Sequence, residues 1–134
     1  LVSHAFDENE LAEEELYKQI LHDKLSINEG MLFENAIAQC LVASGHKLFF
    51  YTHYDEAKHR NDIEIDFILS NNSKTKQKLY PIEVKSRKRY TTDSLNIFLK
   101  KYHQRIGTAY IIHTKNLAVN GEIVCIPSYM AILL

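Results

Sequence analysis

Three strand-like runs follow one another with no helix between them, KLFFYTHY (47–54), IEIDFIL (63–69) and LYPIEVKS (79–86). Their connections are polar and contain Asn and Lys, which suits turns or hairpins, so the centre of the chain predicts a mainly antiparallel start to a sheet. Alternation along IEIDFIL predicts Ile63, Ile65, Phe67 and Leu69 on one face and Glu64, Asp66 and Ile68 on the other. In LYPIEVKS it separates Ile82 and Val84 from Glu83 and Lys85, which become neighbours along one side of the strand.

Helical patterning surrounds the strands. Residues 8–25 carry Leu11, Leu16, Ile20 and Leu21 at roughly helical spacing, with acids crowded near the start, where the helix dipole favours them. From Glu29 to about Ser44 a second helix is expected, with Phe33, Ile37, Cys40 and Leu41 on one face and Gly45 as its stop. After the strands, Thr92 or Asp93 can cap a third helix in which Leu95, Phe98, Leu99 and Tyr102 recur at i, i+3, i+4 and i+7, before Gly107 ends it. TAYIIHT (108–114) and the start of EIVCIPSYMAILL return as strands. The predicted order is α, α, βββ, α, β, β: an α/β fold whose central mixed sheet has about four to five strands flanked by helices.

At 134 residues, 46% hydrophobic and 25% charged, the chain suits one compact domain with one core. We expect residues 1–28 to form a helical lead-in packed on the core and 29–134 the domain proper. No apolar run approaches the roughly 20 residues that span a bilayer, and LVSHAFDENE has no signal-peptide pattern, so a soluble, cytoplasmic protein without membrane contact is expected. The chain opens on Leu1 and runs straight into helical patterning, which suggests a piece of a longer protein. Cys40 and Cys125 sit in apolar settings and read as core residues. With glycines only at 30, 45, 107 and 121, no P-loop can be written. The seven histidines show no metal-binding spacing.

Charge is uneven. Residues 1–54 hold three basic and nine acidic side chains, and residues 55–105 hold twelve basic and seven acidic. Such a split permits an anionic partner near the centre, although a solvated surface accounts for it equally well.

The chemistry concentrates in a few residues. If the second and third strands pair with their polar faces aligned, Asp66 and Glu83 meet as hard oxygen ligands for Mg²⁺ or Mn²⁺. Lys85 then stands beside them to stabilise developing phosphate charge. Glu34 lies at the edge of the apolar arc of its helix, where an acid needs a partner, and it could face the same site. The competing structural reading is a salt-bridge network of Asp66 and Glu83 with Lys85 and Arg87. Arg87, Lys88 and Arg89, with Lys58 and Arg60, could grip nucleic-acid phosphates.

The strand Ile65-Asp66, the strand Glu83-Val84-Lys85, a preceding helix bearing Glu34 and a following helix and strand resemble the core of PD-(D/E)XK nucleases, a restriction-endonuclease-like fold. GMLFENAIAQCL, EIDFIL, YPIEVKS, the Ser94-Leu95 helix and IPSYMAILL are more closely similar to the C-terminal domain of unknown function in prokaryotic AAA-type ATPases. The resemblance implies Asp66 and Glu83 as metal ligands with the Val84 carbonyl as a third, Lys85 as the catalytic lysine and Glu34 as the helix acid. Ile65 stands where the superfamily's name expects Pro. The implied function is divalent-metal-dependent phosphodiester hydrolysis, on DNA, by a domain attached to an ATPase module. The alternative is a catalytically inactive nucleic-acid- or protein-binding module of that ATPase.

Overall fold

The computed structural model describes residues 29–70 and 78–134; the helix expected over 8–25, and with it the lead-in 1–28, lies outside the described residues. Helix α1 (Glu29–Ala43) leads to strands β1 (Phe49–Asp55), β2 (Arg60–Ser70) and β3 (Leu79–Lys85). Helix α2 (Asp93–Tyr102) and a 3-10 turn (His103–Arg105) then cross to β4 (Ala109–His113). Strands β5 (Ala118–Asn120) and β6 (Ile123–Pro127) and a second 3-10 turn (Ser128–Leu133) close the chain. The α/β expectation holds, with a mixed sheet ordered β1-β2-β3-β4-β6-β5. Pairing is antiparallel for β1/β2, β2/β3 and β5/β6 and parallel for β3/β4 and β4/β6.

The strand count exceeds the four to five expected, because β5 is three residues long and wholly exposed at the sheet edge, too short to show alternation. Gly121, with φ of 62°, occupies the first central position of the two-residue loop that joins Asn120 to Ile123. That position needs a positive φ in a type II′ hairpin, which Gly adopts without strain.

Helix α1 ends as Gly45 predicts. Its N–H donates to the Val42 carbonyl at 2.9 Å and the His46 N–H to the Leu41 carbonyl at 3.1 Å, the paired bonds of a Schellman stop, with Gly45 at φ 92°. The start of α2 differs from expectation. Thr92 occupies the N-cap, but its side chain makes no capping bond; its Oγ1 accepts instead from Asn96 Nδ2 at 3.0 Å. Gly107 does not end this helix, which stops at Tyr102. The role of Gly107 is close approach: its N–H donates to the Leu79 carbonyl at 2.9 Å, and a Cβ there would lie 2.4 Å from the Tyr80 ring. Gly107→Ala should therefore destabilise the fold by about 1–3 kcal/mol, the usual range for overpacking. Urea unfolding measures this, and Tyr80→Leu made together with it should recover part of the loss.

Alternation along β2 breaks, contrary to the sequence expectation. Phe49 pairs with Ile68, but Tyr51 pairs with Ile65, so β2 carries one extra residue at Asp66-Phe67. This is a β-bulge, which shifts the following side chains to the other face. Ile63 and Ile65 thus join Ile68, Leu95, Phe98 and Ile111 in the core beneath α2, whereas Phe67 and Leu69 join Ile37, Leu41, Ile82 and Ile112 in the core beneath α1. Sheet burial on both faces makes two core layers, and Cys125 is buried as expected. Among the described residues no helix is long and apolar enough to cross a membrane.

Candidate functional site

The β2/β3 ladder runs from Ser70↔Leu79 to Phe67↔Ile82 and stops at the bulge. Beyond it the Asp66 side chain replaces the missing rung, its Oδ2 accepting the Val84 N–H at 2.7 Å. Asp66 and Glu83 therefore meet at the end of a strand pair and not across one aligned polar face, as the alternation had suggested. The slot between the strands widens into a cleft of about 420 Å³ lined by Glu34, Glu64, Asp66, Glu83, Lys85 and the start of α2, with Asp93 and Ser94. It lies at the carboxyl end of β3, where open α/β sheets commonly bind ligands.

Glu83 is the most unusual member. Its side chain is only 2% exposed, set between apolar β3 neighbours that face α1 and the first turn of α2. Lys85 Nζ lies 2.9 Å from Glu83 Oε2. This ion pair is the partner of the buried Oε2, which among the described residues has no other donor. Burial raises the Glu83 pKa and Asp66 raises it further, against the lowering influence of Lys85 and of the Leu95 N–H.

The neighbouring acids share this strain. Burial raises the Asp66 pKa, with Glu64 adding to it and the Val84 N–H and Lys85 opposing it. Glu34, half-buried on α1, is raised by burial and then by Asp66 and Glu64, which places it beside Asp66 as the helix angle predicted. Four predicted site residues, Glu34, Asp66, Glu83 and Lys85, thus line one cleft, and Val84 joins them.

The basic candidates fare differently. None of Lys58, Arg60, Arg87, Lys88 and Arg89 lines the cleft. Lys58 is engaged by Asp55 at 2.8 Å in the β1/β2 loop, and Arg60 begins β2 about 20 Å along the strand from Asp66. Arg87, Lys88 and Arg89 form an exposed bend one residue past Lys85, after Ser86. His53 is tied to Asp62 at 2.6 Å, and neither it nor His59 reaches the cleft.

Sequence reasoning passed over three contributors. Glu64 stood in plain view two residues before Asp66, on the same predicted face. Tyr90 and His113 had no local signal, since their contact spans 23 residues. The Tyr90 hydroxyl and His113 Nδ1 are 2.9 Å apart, and His113 Nε2 lies 3.1 Å from the Asn116 carbonyl. A carbonyl can only accept, so Nε2 donates and Nδ1 accepts from Tyr90. Because His113 pairs with Lys85 in the sheet, this bond moors the basic bend to β4 beside the lysine.

The donors available to a hard cation are the Glu83 carboxylate, the Asp66 carboxylate and the Val84 carbonyl, a small oxygen set of the kind Mg²⁺ completes with water. Among the described residues no three His, Cys, Asp or Glu side chains stand close enough to form a cage by themselves.

Comparison with curated proteins and with solved structures returned no match. A family model described as a domain of unknown function (DUF4143) matches residues 29–130. That span takes in α1, the whole sheet and every residue of the carboxylate cleft, and the chain is therefore a member of the DUF4143 family.

Proposed function

We propose that the cleft hydrolyses phosphodiester bonds of nucleic acid, DNA foremost, with Mg²⁺ or Mn²⁺, on a fold of the PD-(D/E)XK nuclease type. The observation that carries this reading is the buried Glu83 carboxylate, paired through Oε2 with Lys85 and set in one cleft with Asp66, Glu64 and Glu34. A carboxylate so placed is held against its own desolvation, and a cation is the ligand that relieves it. Asp66 and Glu83 would hold the cation, with the Val84 carbonyl as a third donor, and when bound it supplies Lewis acidity at the phosphate. The Val84 N–H orients Asp66. Lys85 brings positive charge to where negative charge develops on the phosphoryl oxygens. Glu34 and Glu64 sit at the second edge of the cleft, where either can accept a proton. The bend Arg87-Lys88-Arg89 can hold the flanking backbone. Within the cell the domain would work in the cytoplasm, joined to an AAA-type ATPase module of the same polypeptide.

Incubation of the full chain with plasmid, linear DNA and RNA in Mg²⁺ or Mn²⁺ tests the proposal. Cleavage that EDTA abolishes is the expected result; intact substrates under every cation would sink it. A second reading is a binding or regulatory module without catalysis, favoured by the lack of a ready three-residue cage among the described residues. Under that reading, calorimetry detects no Mg²⁺ or Mn²⁺ binding, and salt-sensitive nucleic-acid binding survives Glu83→Ala.

A further inference from the structure

An exposed aromatic ring stands beside the acidic cleft with no part in the chemistry described so far. Phe50 in β1 is 80% exposed, more than Phe49 before it at 44%, while Tyr51 after it is half-buried. Tyr51 points to the α2 side, where its ring meets Phe98 at 5.2 Å and Tyr102 at 5.8 Å. By the pleat, Phe50, Thr52 and Tyr54 must point to the opposite face. Glu64 and Asp66 share that face, since Ile63 and Ile65 belong to the α2-side core. The register brings Phe50 closer still. With Phe49 opposite Ile68 and Tyr51 opposite Ile65, Phe50 stands across from the Asp66-Phe67 bulge, about one strand spacing, ~4.8 Å, from its backbone. Thr52 lies opposite Glu64, and Tyr54, 54% exposed, continues the row about 13 Å along the strand.

Among the described residues, α1 packs chiefly on β3 and the terminal 3-10 turn and β1 chiefly on β2, and Phe50, Thr52 and Tyr54 are all exposed. We infer that Phe50 is a stacking platform for an unpaired base, and that the substrate is single-stranded nucleic acid, or a junction that exposes one unpaired nucleotide beside the cleaved phosphate. The inference rests on the proposed hydrolysis of nucleic acid and narrows it. An aromatic ring that is 80% exposed at the side of a phosphate-directed cleft leaves its π-face free for a base. Inside a duplex that face is already stacked on its neighbours. Arg60, opposite Asp55 at the hairpin end of the row, supplies a cation for the backbone, and a neutral base tolerates the nearby acids.

The chain contains no Trp, so Phe50→Trp introduces its only indole at an exposed position that does not disturb the core. Val119→Trp, on β5 at the opposite edge of the sheet and 68% exposed, provides the control. Titration with (dT)12 should quench the indole in Phe50→Trp by half or more and leave that in Val119→Trp unchanged. By anisotropy of labelled (dT)12, Phe50→Ala should bind about tenfold more weakly, within the range for one lost base stack, with duplex binding unaltered. If (dT)12 binds but the Phe50→Trp indole does not respond and Phe50→Ala binds equally well, the platform is refuted and the hydrolase reading stands. Binding of duplex alone, or binding of neither while the wild type hydrolyses a small aryl phosphodiester, also refutes it. Quenching without any cleavage supports the platform and moves the site to the binding-module reading.

Discussion

Asp66→Asn is expected to lower metal-dependent cleavage by roughly 10²–10³-fold, the range found when one preorganised electrostatic group is removed from a reacting centre. The substitution is chosen because it separates chemistry from folding. The Asn carbonyl oxygen can still accept the Val84 N–H that Asp66 accepts at 2.7 Å, so the end of the β2/β3 ladder keeps its rung while a cation loses an anionic ligand. Far- and near-ultraviolet circular dichroism should match the wild type, and initial rates of plasmid nicking in Mn²⁺ measure the effect. Lys85→Met should reduce the rate comparably, but it strands Glu83 in a buried site without its ion pair, and breaking such a pair costs about 3–5 kcal/mol. Only the Asp66 variant therefore tests catalysis cleanly. Cleavage by Asp66→Asn at the wild-type rate would place the reaction elsewhere.

Divalent cation should raise the melting temperature strongly at neutral pH and not at all in acid. The ordinary values are 4.5 for Glu34 and Glu83 and 3.8 for Asp66, and the fold raises all three, chiefly through burial. Between each ordinary value and its raised one the folded chain holds more protons than the unfolded chain. Stability therefore falls as pH climbs through that window, and above it the carboxylates are fully ionised and fully penalised. A cation binds only the ionised form. At about 100 times its dissociation constant it adds about 2.7 kcal/mol, several degrees for a chain of this size. The gain should shrink as pH falls and be lost in acid, once the carboxylates are protonated. Asp66→Asn removes one of the crowded charges, so without cation it should be more stable than wild type at pH 7 by about 0.5–2 kcal/mol, with a blunted response to Mg²⁺. Thermal melts from pH 4 to 8, with and without Mg²⁺ or Mn²⁺, read all of these signs. A response equal at pH 4 and pH 8 would contradict the assignment of the carboxylates as the cation's ligands.

The local pattern was legible where side-chain period and backbone punctuation agree. Glu83 and Lys85 opposite Ile82 and Val84, the α1 face with Ile37 and Leu41, the Gly45 stop and the α2 face with Leu95, Phe98 and Leu99 all follow from nearest-neighbour geometry. Residues outside those regularities escaped it. Strand β5 was missed because three exposed residues carry no period, although Asn120-Gly121 is a turn signal. Gly107 looked like a helix stop and is instead the floor under Tyr80, a contact between residues 27 apart.

By itself, then, the sequence determined which residue types line the site and on which elements they lie, since alternation and helical angle are properties of short stretches of chain. The tertiary structure alone decided how they meet. One extra residue in β2 breaks the alternation at Asp66, ends the ladder with β3 and lets the carboxylate reach Val84. A bulge is a mismatch between two strands and is written in neither. Burying Glu83 beneath the first turn of α2, and setting Phe50 across from the bulge, likewise depend on packing and register, which are fixed only when the two core layers close on both faces of the sheet.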